Sequence, residues 1–336
     1  MLPTLRYGFG NNHSTRQVTP RRGNCNRDVL CFGMLFCRRL ADAASFSPTC
    51  LLRCPSLALV CFWATSLLTS GCTKFDLLNA TIPSWGYAST VNIPYGEKPR
   101  QSLDVYRPKG AKPGAPVVIF FYGGDWQAGK KGDYRFVAEA LTSKGFVAVL
   151  PDYRIYPNVT FPAFVEDAAK SVRWVHDHIS QFGGDPKHIY LMGHSAGAHI
   201  AAMLTLDGHF LKDVGLSRQS IRATAGLSGP YDFTPPPEDA PVFGAVPGRR
   251  PPPRVEPIAF VDGHEPPMLL VQGRKDVIVD PFNAVNLARR IRRAGGEVRA
   301  IEYPDRGHVG VCLALAWDFR WLAPVLRDVT EFFWNH

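Results

Sequence analysis

Past residue 72 the sequence holds a single cysteine, Cys312. One thiol supports neither a disulfide framework nor a cysteine cluster for zinc, so this part of the chain must be stabilised by its core alone. Long apolar runs are missing too, since the uncharged stretch from Ser56 to Leu68 is too short for a membrane-spanning helix. There is no basic stripe. The net charge is +9, but eight arginines against two aspartates in residues 1–72 account for +6, and the rest of the chain carries only +3. That balance, with no aromatic-interleaved basic patch, excludes nucleic acid as a partner. Internal repeats are absent. What remains is a chain of 336 residues with 46% apolar and 20% charged side chains, which is globular and long enough for one large core.

Residues 1–72 stand apart from this body, with Cys25, Cys31, Cys37, Cys50, Cys54, Cys61 and Cys72. Arg38, Arg39 and Arg53 precede the apolar run, which ends in Thr69-Ser70-Gly71-Cys72. A positive segment, an apolar segment and then small residues is the layout of a secretory signal. The small residues before Cys72 also resemble a bacterial lipobox, in which that cysteine is lipidated. The departure is Thr69, where the lipobox usually has leucine; Leu68 lies one place too early. Signals seldom start so far upstream, and a start at Met34 would give one of ordinary length. The expectation is a leader over 1–72, a body over 73–336, export to the cell envelope and membrane attachment through Cys72. A basic leader that is not a signal would leave the protein cytoplasmic.

From about Asn92 onward, strand and helix patterns alternate. Strands are expected over Ser102–Tyr106, Val117–Phe121, Val147–Leu150, Ile189–Met192, Thr224–Leu227, Met268–Gln272 and Glu297–Tyr303. Several are short continuous apolar runs, as in strands buried on both faces of a mainly parallel sheet. The clearest helix runs from Pro162 to Gln181, with Val165, Ala168, Val172, Val175 and Ile179 at helical spacing and Glu166, Asp167, Lys170 and Asp177 on other faces. Further helices are expected over Phe136–Ser143, Asn283–Arg293 and Pro324–Phe333. This alternation implies an α/β fold with helices on both sides of the sheet. Between Thr234 and Pro257 nine prolines exclude a core helix or central strand, so 234–257 is a surface excursion, either a rim over the site or a plain insertion.

The stretch Gly193-His194-Ser195-Ala196-Gly197 sits between the apolar run His188–Met192 and the small-residue run Ala198–Leu204. A Gly-x-Ser-x-Gly pentapeptide at a strand-to-helix turn has the layout of a nucleophile elbow. It exposes the Ser195 hydroxyl and aims the Ala196 amide at a developing oxyanion, with a helix N-terminus behind it. A serine needs a base, and the base needs an orienting carboxylate. Strand 268–272 runs into a loop carrying Asp276, and strand 297–303 into one carrying His308. Both would lie at the carboxyl edge of the sheet beside Ser195, with Asp280 and Asp305 as substitutes for Asp276. His194 and His199 are assigned to packing or to a helix surface, and His176 with His178 make a poor metal pair. Strand 117–121 leads into Tyr122-Gly123-Gly124-Asp125-Trp126, whose glycines let backbone approach a substrate closely. Trp126 and Tyr231, with Phe233, either line a substrate pocket or simply pack.

Together with Pro151-Asp152-Tyr153-Arg154 and Leu227-Ser228-Gly229-Pro230-Tyr231-Asp232, these motifs resemble the bacterial carboxylesterase branch of the α/β-hydrolase superfamily. The nearest groups are the hormone-sensitive-lipase-like and kynurenine-formamidase-like ones, and the resemblance runs from about Tyr95 to Phe333. It implies an α/β-hydrolase fold and oxyanion donors at the amides of Gly124, Asp125 and Ala196. It further implies a serine carboxylesterase for small carboxylic esters that uses Ser195, Asp276 and His308, with no metal or organic cofactor. An amidase or arylformamidase with the same triad, and a non-catalytic binding protein on a hydrolase scaffold, are the alternatives. Two departures bear on the site. Tyr122 stands where the family loop usually begins with a histidine that braces it, and Asp125 stands where Gly, Ala or Ser is usual. Asp125 must therefore point away from the oxyanion or bind something cationic.

Overall fold

The computed structural model describes residues 74–237, 239–244 and 254–336. The expected leader, Cys72 and the middle of the proline-rich excursion lie outside the described residues. Among the described residues the chain forms an eight-stranded sheet. Its strands are β1 (Tyr87–Pro94), β2 (Ser102–Pro108), β3 (Ala115–Phe121), β4 (Val147–Pro151), β5 (Gly184–His194), β6 (Thr224–Leu227), β7 (Met268–Gly273) and β8 (Val298–Tyr303). Their spatial order is β1-β2-β4-β3-β5-β6-β7-β8. The β1–β2 and β2–β4 pairs are antiparallel, and every other neighbouring pair is parallel. Val117, Val118, Ile119, Phe120 and Phe121 are all fully buried. Since successive side chains on a strand point to opposite faces, both faces of the sheet are covered there.

All seven expected strands form, with ends shifted by a few residues. The strand missing from the sequence pattern is β1, an edge strand whose residues after Tyr87 are exposed or half-buried, so no apolar run announces it. Its pairing with β2 is interrupted between Thr90 and Ile93, where Asn92 adopts φ 58 and donates its N–H to Asp104. Such a bulge blunts an open edge against pairing with another chain.

The helices are α1 (Lys74–Ala80) before β1, then α2 (Arg135–Thr142), α3 (Ala163–His178), α4 (Ala196–Leu206), α5 (His209–Asp213) and α6 (Phe282–Ala294) between strands, and α7 (His308–Leu313) and α8 (Val325–Trp334) after β8. In α3 the valines and alanines at helical spacing are buried as expected, but one of the four charged residues on the other faces is buried too. That residue is Asp167. It is fully buried, accepting bonds from Arg154 Nε and Nη2, each at 2.8 Å, and from Gln101 Nε2 at 2.6 Å. A buried carboxylate at this cost persists only with such complete pairing. The reason was not visible in the helix itself, because the partners come from two other segments.

Every residue of α4 is buried, and its alanines and single glycine let it lie against the sheet. A Cβ on Gly197 would run into the carbonyls of Phe121 and Tyr122, and one on Gly193 into the carbonyl of Gly197. Gly197→Ala is therefore expected to cost about 3 kcal/mol or more in urea-induced unfolding, at the upper end of overpacking effects. Gly86→Ala, where nothing lies within 4 Å of the added carbon, should change stability by less than about 1 kcal/mol.

Candidate active site

Ser195 sits between the end of β5 and the start of α4 with φ 55 and ψ −123, a left-handed conformation rare for a residue with a side chain. Its own N–H donates to the Leu227 carbonyl at 2.9 Å. Its carbonyl accepts from Ala198 at 2.9 Å and His199 at 3.1 Å. The amide of Ala196 thus belongs to the helix's opening turn, where N–H groups have no partner within the helix. The Gly-Gly loop lies directly against this turn. A methyl group built on Gly123 would be 2.9 Å from Ser195 Cβ and 3.1 Å from the His194 carbonyl.

The loop itself is strained. Gly124 has φ 127, and both Asp125 and Trp126 follow in the left-handed region at φ 53 and φ 57. What braces it begins at Tyr122. The phenol donates to Asp152 Oδ1 at 2.9 Å and accepts from Arg100 Nη2 at 2.7 Å. Burial, with Asp152 adding to it, pushes the Tyr122 pKa up, so the hydroxyl keeps the proton it donates. Arg100 also reaches the carbonyls of Tyr153 and Gly129, and Asp152 Oδ1 accepts the Lys131 amide at 2.7 Å. A phenol thus makes the hydrogen bonds expected of a bracing histidine. Asp125 is exposed. Its carboxylate is therefore not enclosed beside an oxyanion.

Asp276 and His308 meet across two loops. His308 Nδ1 lies 2.9 Å from Asp276 Oδ2, and both residues are buried. Since a carboxylate only accepts, Nδ1 carries the proton and Nε2 is left as the free base. The carboxylate is fully occupied: Gln272 Nε2 donates to Oδ2 at 2.8 Å, and the amides of Ile278 and Val279 donate to Oδ1 at 3.0 and 2.9 Å. Burial works to raise the Asp276 pKa, but His308 and the Val279 and Ile278 amides outweigh it and hold the group below its ordinary value. The two loops are stitched by Lys275 N–H to the Arg306 carbonyl at 2.9 Å. Neither substitute carboxylate faces His308. Asp280 accepts the Phe282 amide at the start of α6, and Asp305 is an exposed partner of Lys275.

Trp126 is buried in an aromatic cluster, edge-on to His199 at 5.0 Å and to Phe243 at 4.9 Å, and stacked on Phe233 at 6.3 Å. Phe243 comes from the described part of the proline-rich excursion, which also supplies Val255; the Val255 carbonyl lies 2.8 Å from His199 Nε2. Phe243 and Val255, from the two described ends of the excursion, thus both pack against His199 of α4. Of the two roles open to Tyr231, lining a pocket or packing, it takes packing, since the residue is buried. Its ring is wedged against Gly226 and Gly229 beneath α4, in a core with Ala198, Ala202 and Leu270, while its N–H donates to Asn283 Oδ1 at 2.7 Å. The aromatic ring was legible and its direction was not. Gln272 was missed, though a lone polar residue at the end of a wholly apolar strand, four places before Asp276, was a usable signal.

A family model described as BD-FAE matches residues 103–291. The chain is similar to an isoprenylcysteine alpha-carbonyl methylesterase of Arabidopsis thaliana, 37% identical over 180 residues that cover 51% of this chain and 42% of that protein. It is also similar to the kynurenine formamidase of Danio rerio, 38% identical over 145 residues, 43% of this chain and 47% of that one. It spans about half the length of these relatives or less. A solved structure described as a truncated form of carbohydrate esterase from gut microbiota superposes with TM-score 0.65 at 22% identity. It covers 76% of this chain and 98% of the other. That likeness shows the fold, an α/β-hydrolase.

Burial pushes His199 down to about 4 and His194 down to about 3, the latter helped by positive charge on His308. Unfolded, both rings bind a proton near pH 6.5, so the unfolded chain takes up protons that the folded chain refuses. The stability they support is complete above about pH 6.5 and is lost progressively as pH falls through about 4. Urea unfolding should show free energy declining over that window, with a shallower decline in His199→Phe. Equal slopes in the two proteins would contradict the assignment.

Proposed function

The chain belongs to the BD-FAE family, and from that premise we propose that it is a serine carboxylesterase hydrolysing small carboxylic esters through an acyl-enzyme on Ser195. The observation that carries this reading is the buried His308–Asp276 pair, 2.9 Å across, with the His308 carbonyl 3.2 Å from Nε2 of His194, the residue that precedes a serine held at φ 55 on a strand-to-helix turn. His308 Nε2 takes the hydroxyl proton as Ser195 Oγ bonds to the ester carbonyl carbon. The carbonyl electron pair moves onto oxygen, where the amides of Gly124, Asp125 and Ala196 hold it. Asp276 fixes the His308 tautomer and stabilises the imidazolium. The tetrahedral species collapses, the carbon–oxygen bond to the alcohol breaks, and His308 gives its proton to the departing alkoxide. Water then attacks the acyl-enzyme by the same route, releasing the acid and restoring the serine.

Trp126 forms one wall of the acyl site in this reading, backed by Phe233. A second reading, hydrolysis of an aryl formamide by the same three side chains, is supported by the similarity to the formamidase of Danio rerio. The leader supplies export and attachment: Arg38, Arg39 and Arg53, the apolar run and the small residues before Cys72 support a lipid-anchored enzyme at the cell envelope.

Hydrolysis of p-nitrophenyl esters from acetate to dodecanoate, alongside N-formyl anilides, tests the proposal. The expected result is ester turnover with a short-chain optimum, abolished in Ser195→Ala and reduced about 10³- to 10⁴-fold in Asp276→Asn. Faster formanilide than ester turnover, equally dependent on Ser195, would favour the second reading. Rates unchanged in Ser195→Ala would overturn both.

A further inference from the structure

One buried side chain beside the three catalytic groups has so far no function beyond filling space. His194 is the last residue of β5 and the chain neighbour of Ser195. Its Nε2 lies 3.2 Å from the backbone carbonyl of His308, and the two imidazole rings are 4.8 Å apart at 47°. A carbonyl oxygen only accepts, so the Nε2 of a neutral His194 must be the protonated, donating nitrogen. Burial keeps the ring neutral at working pH, as its lowered pKa of about 3 requires. The other nitrogen, Nδ1, is buried with no protein partner and faces the oxyanion loop, 3.2 Å from where a carbon on Gly123 would sit. One ring therefore touches the backbone of the base, abuts the oxyanion loop and is tied through one peptide bond to the nucleophile.

We propose that His194 is a positioning residue: its Nε2–H holds the His308 main chain in register with Ser195, and its ring spaces His308 from the Gly123 loop. The proposal rests on the serine-hydrolase reading, because it assigns His194 no chemistry of its own. Packing alone makes a different demand. A side chain of the right size would then suffice, whether or not it carried an N–H. Near-attack geometry is sensitive enough for the distinction to show, since a displacement of about 1 Å can cost about 10²-fold in rate.

The test compares His194→Gln with His194→Met in the full chain. The two replacements have nearly the same length and volume, but only glutamine keeps an N–H that can reach the His308 carbonyl. The readouts are kcat and KM on p-nitrophenyl butyrate, the rate of Ser195 phosphonylation by a fluorophosphonate, thermal unfolding, and the low-field proton resonance of the His308–Asp276 hydrogen bond. We expect similar melting temperatures for the two variants. In His194→Met, kcat and the phosphonylation rate should fall about 10- to 100-fold with KM nearly unchanged, and the low-field resonance should shift or broaden. His194→Gln should recover most of the rate and the resonance. Equal rates in the two variants, whether both high or both low, would overturn the proposal in favour of packing. A wild-type chain that the fluorophosphonate does not label would overturn it together with the hydrolase reading. Normal wild-type labelling with no loss in His194→Met would overturn it alone.

Discussion

The close approach of Gly197 to the carbonyls of Phe121 and Tyr122 is the contact on which the rest of the site depends. It presses the first turn of α4 against the end of β3, and so sets where the strand-to-helix turn after β5 can lie. Because the Gly-Gly loop grows directly out of β3, the same contact fixes Ser195 and that loop relative to each other. Neither part has freedom to drift without opening a buried backbone contact. The left-handed backbone of Ser195, and of Asp125 and Trp126, is held by this packing and not by local preference, which for residues with side chains runs the other way.

The remaining parts are tied to that centre by polar groups that sit in pairs or larger sets. Tyr122, Arg100 and Asp152 brace the loop from behind, while Gln272 and two backbone amides complete the carboxylate that orients His308. Each buried charge or hydroxyl in these sets has a partner. That matters because an unpaired group would cost more than its pairing contributes. The elbow and its neighbours are a preorganised polar arrangement inside an apolar sheet, the arrangement in which fixed dipoles act most strongly on developing charge.

What the sequence makes legible follows from how local each signal is. Parallel strands covered on both faces announce themselves as apolar runs, and the elbow as a glycine–serine pattern between a strand and a helix of small residues. The edge strand β1 gives no such signal, since most of its side chains face water. The burial of Asp167 gives no local signal, because helical spacing does not reveal Arg154 and Gln101 arriving from elsewhere. Tyr231 shows the same limit from the other side. A ring beside catalytic motifs suggests a pocket wall, yet the space left by Gly226 and Gly229 draws it under α4. Helical and strand spacing give His194 only packing or surface; its hydrogen bond to the His308 carbonyl depends on the end of β5 meeting the start of α7, 114 residues apart in sequence.

The central claim is that Ser195 becomes covalently acylated, and mass spectrometry of the acid-quenched protein during turnover of a p-nitrophenyl ester tests it most directly. The account predicts one added acyl group, located on the peptide containing Ser195 and absent from Ser195→Ala. Turnover with no adduct, or with the acyl group on another residue, would contradict it.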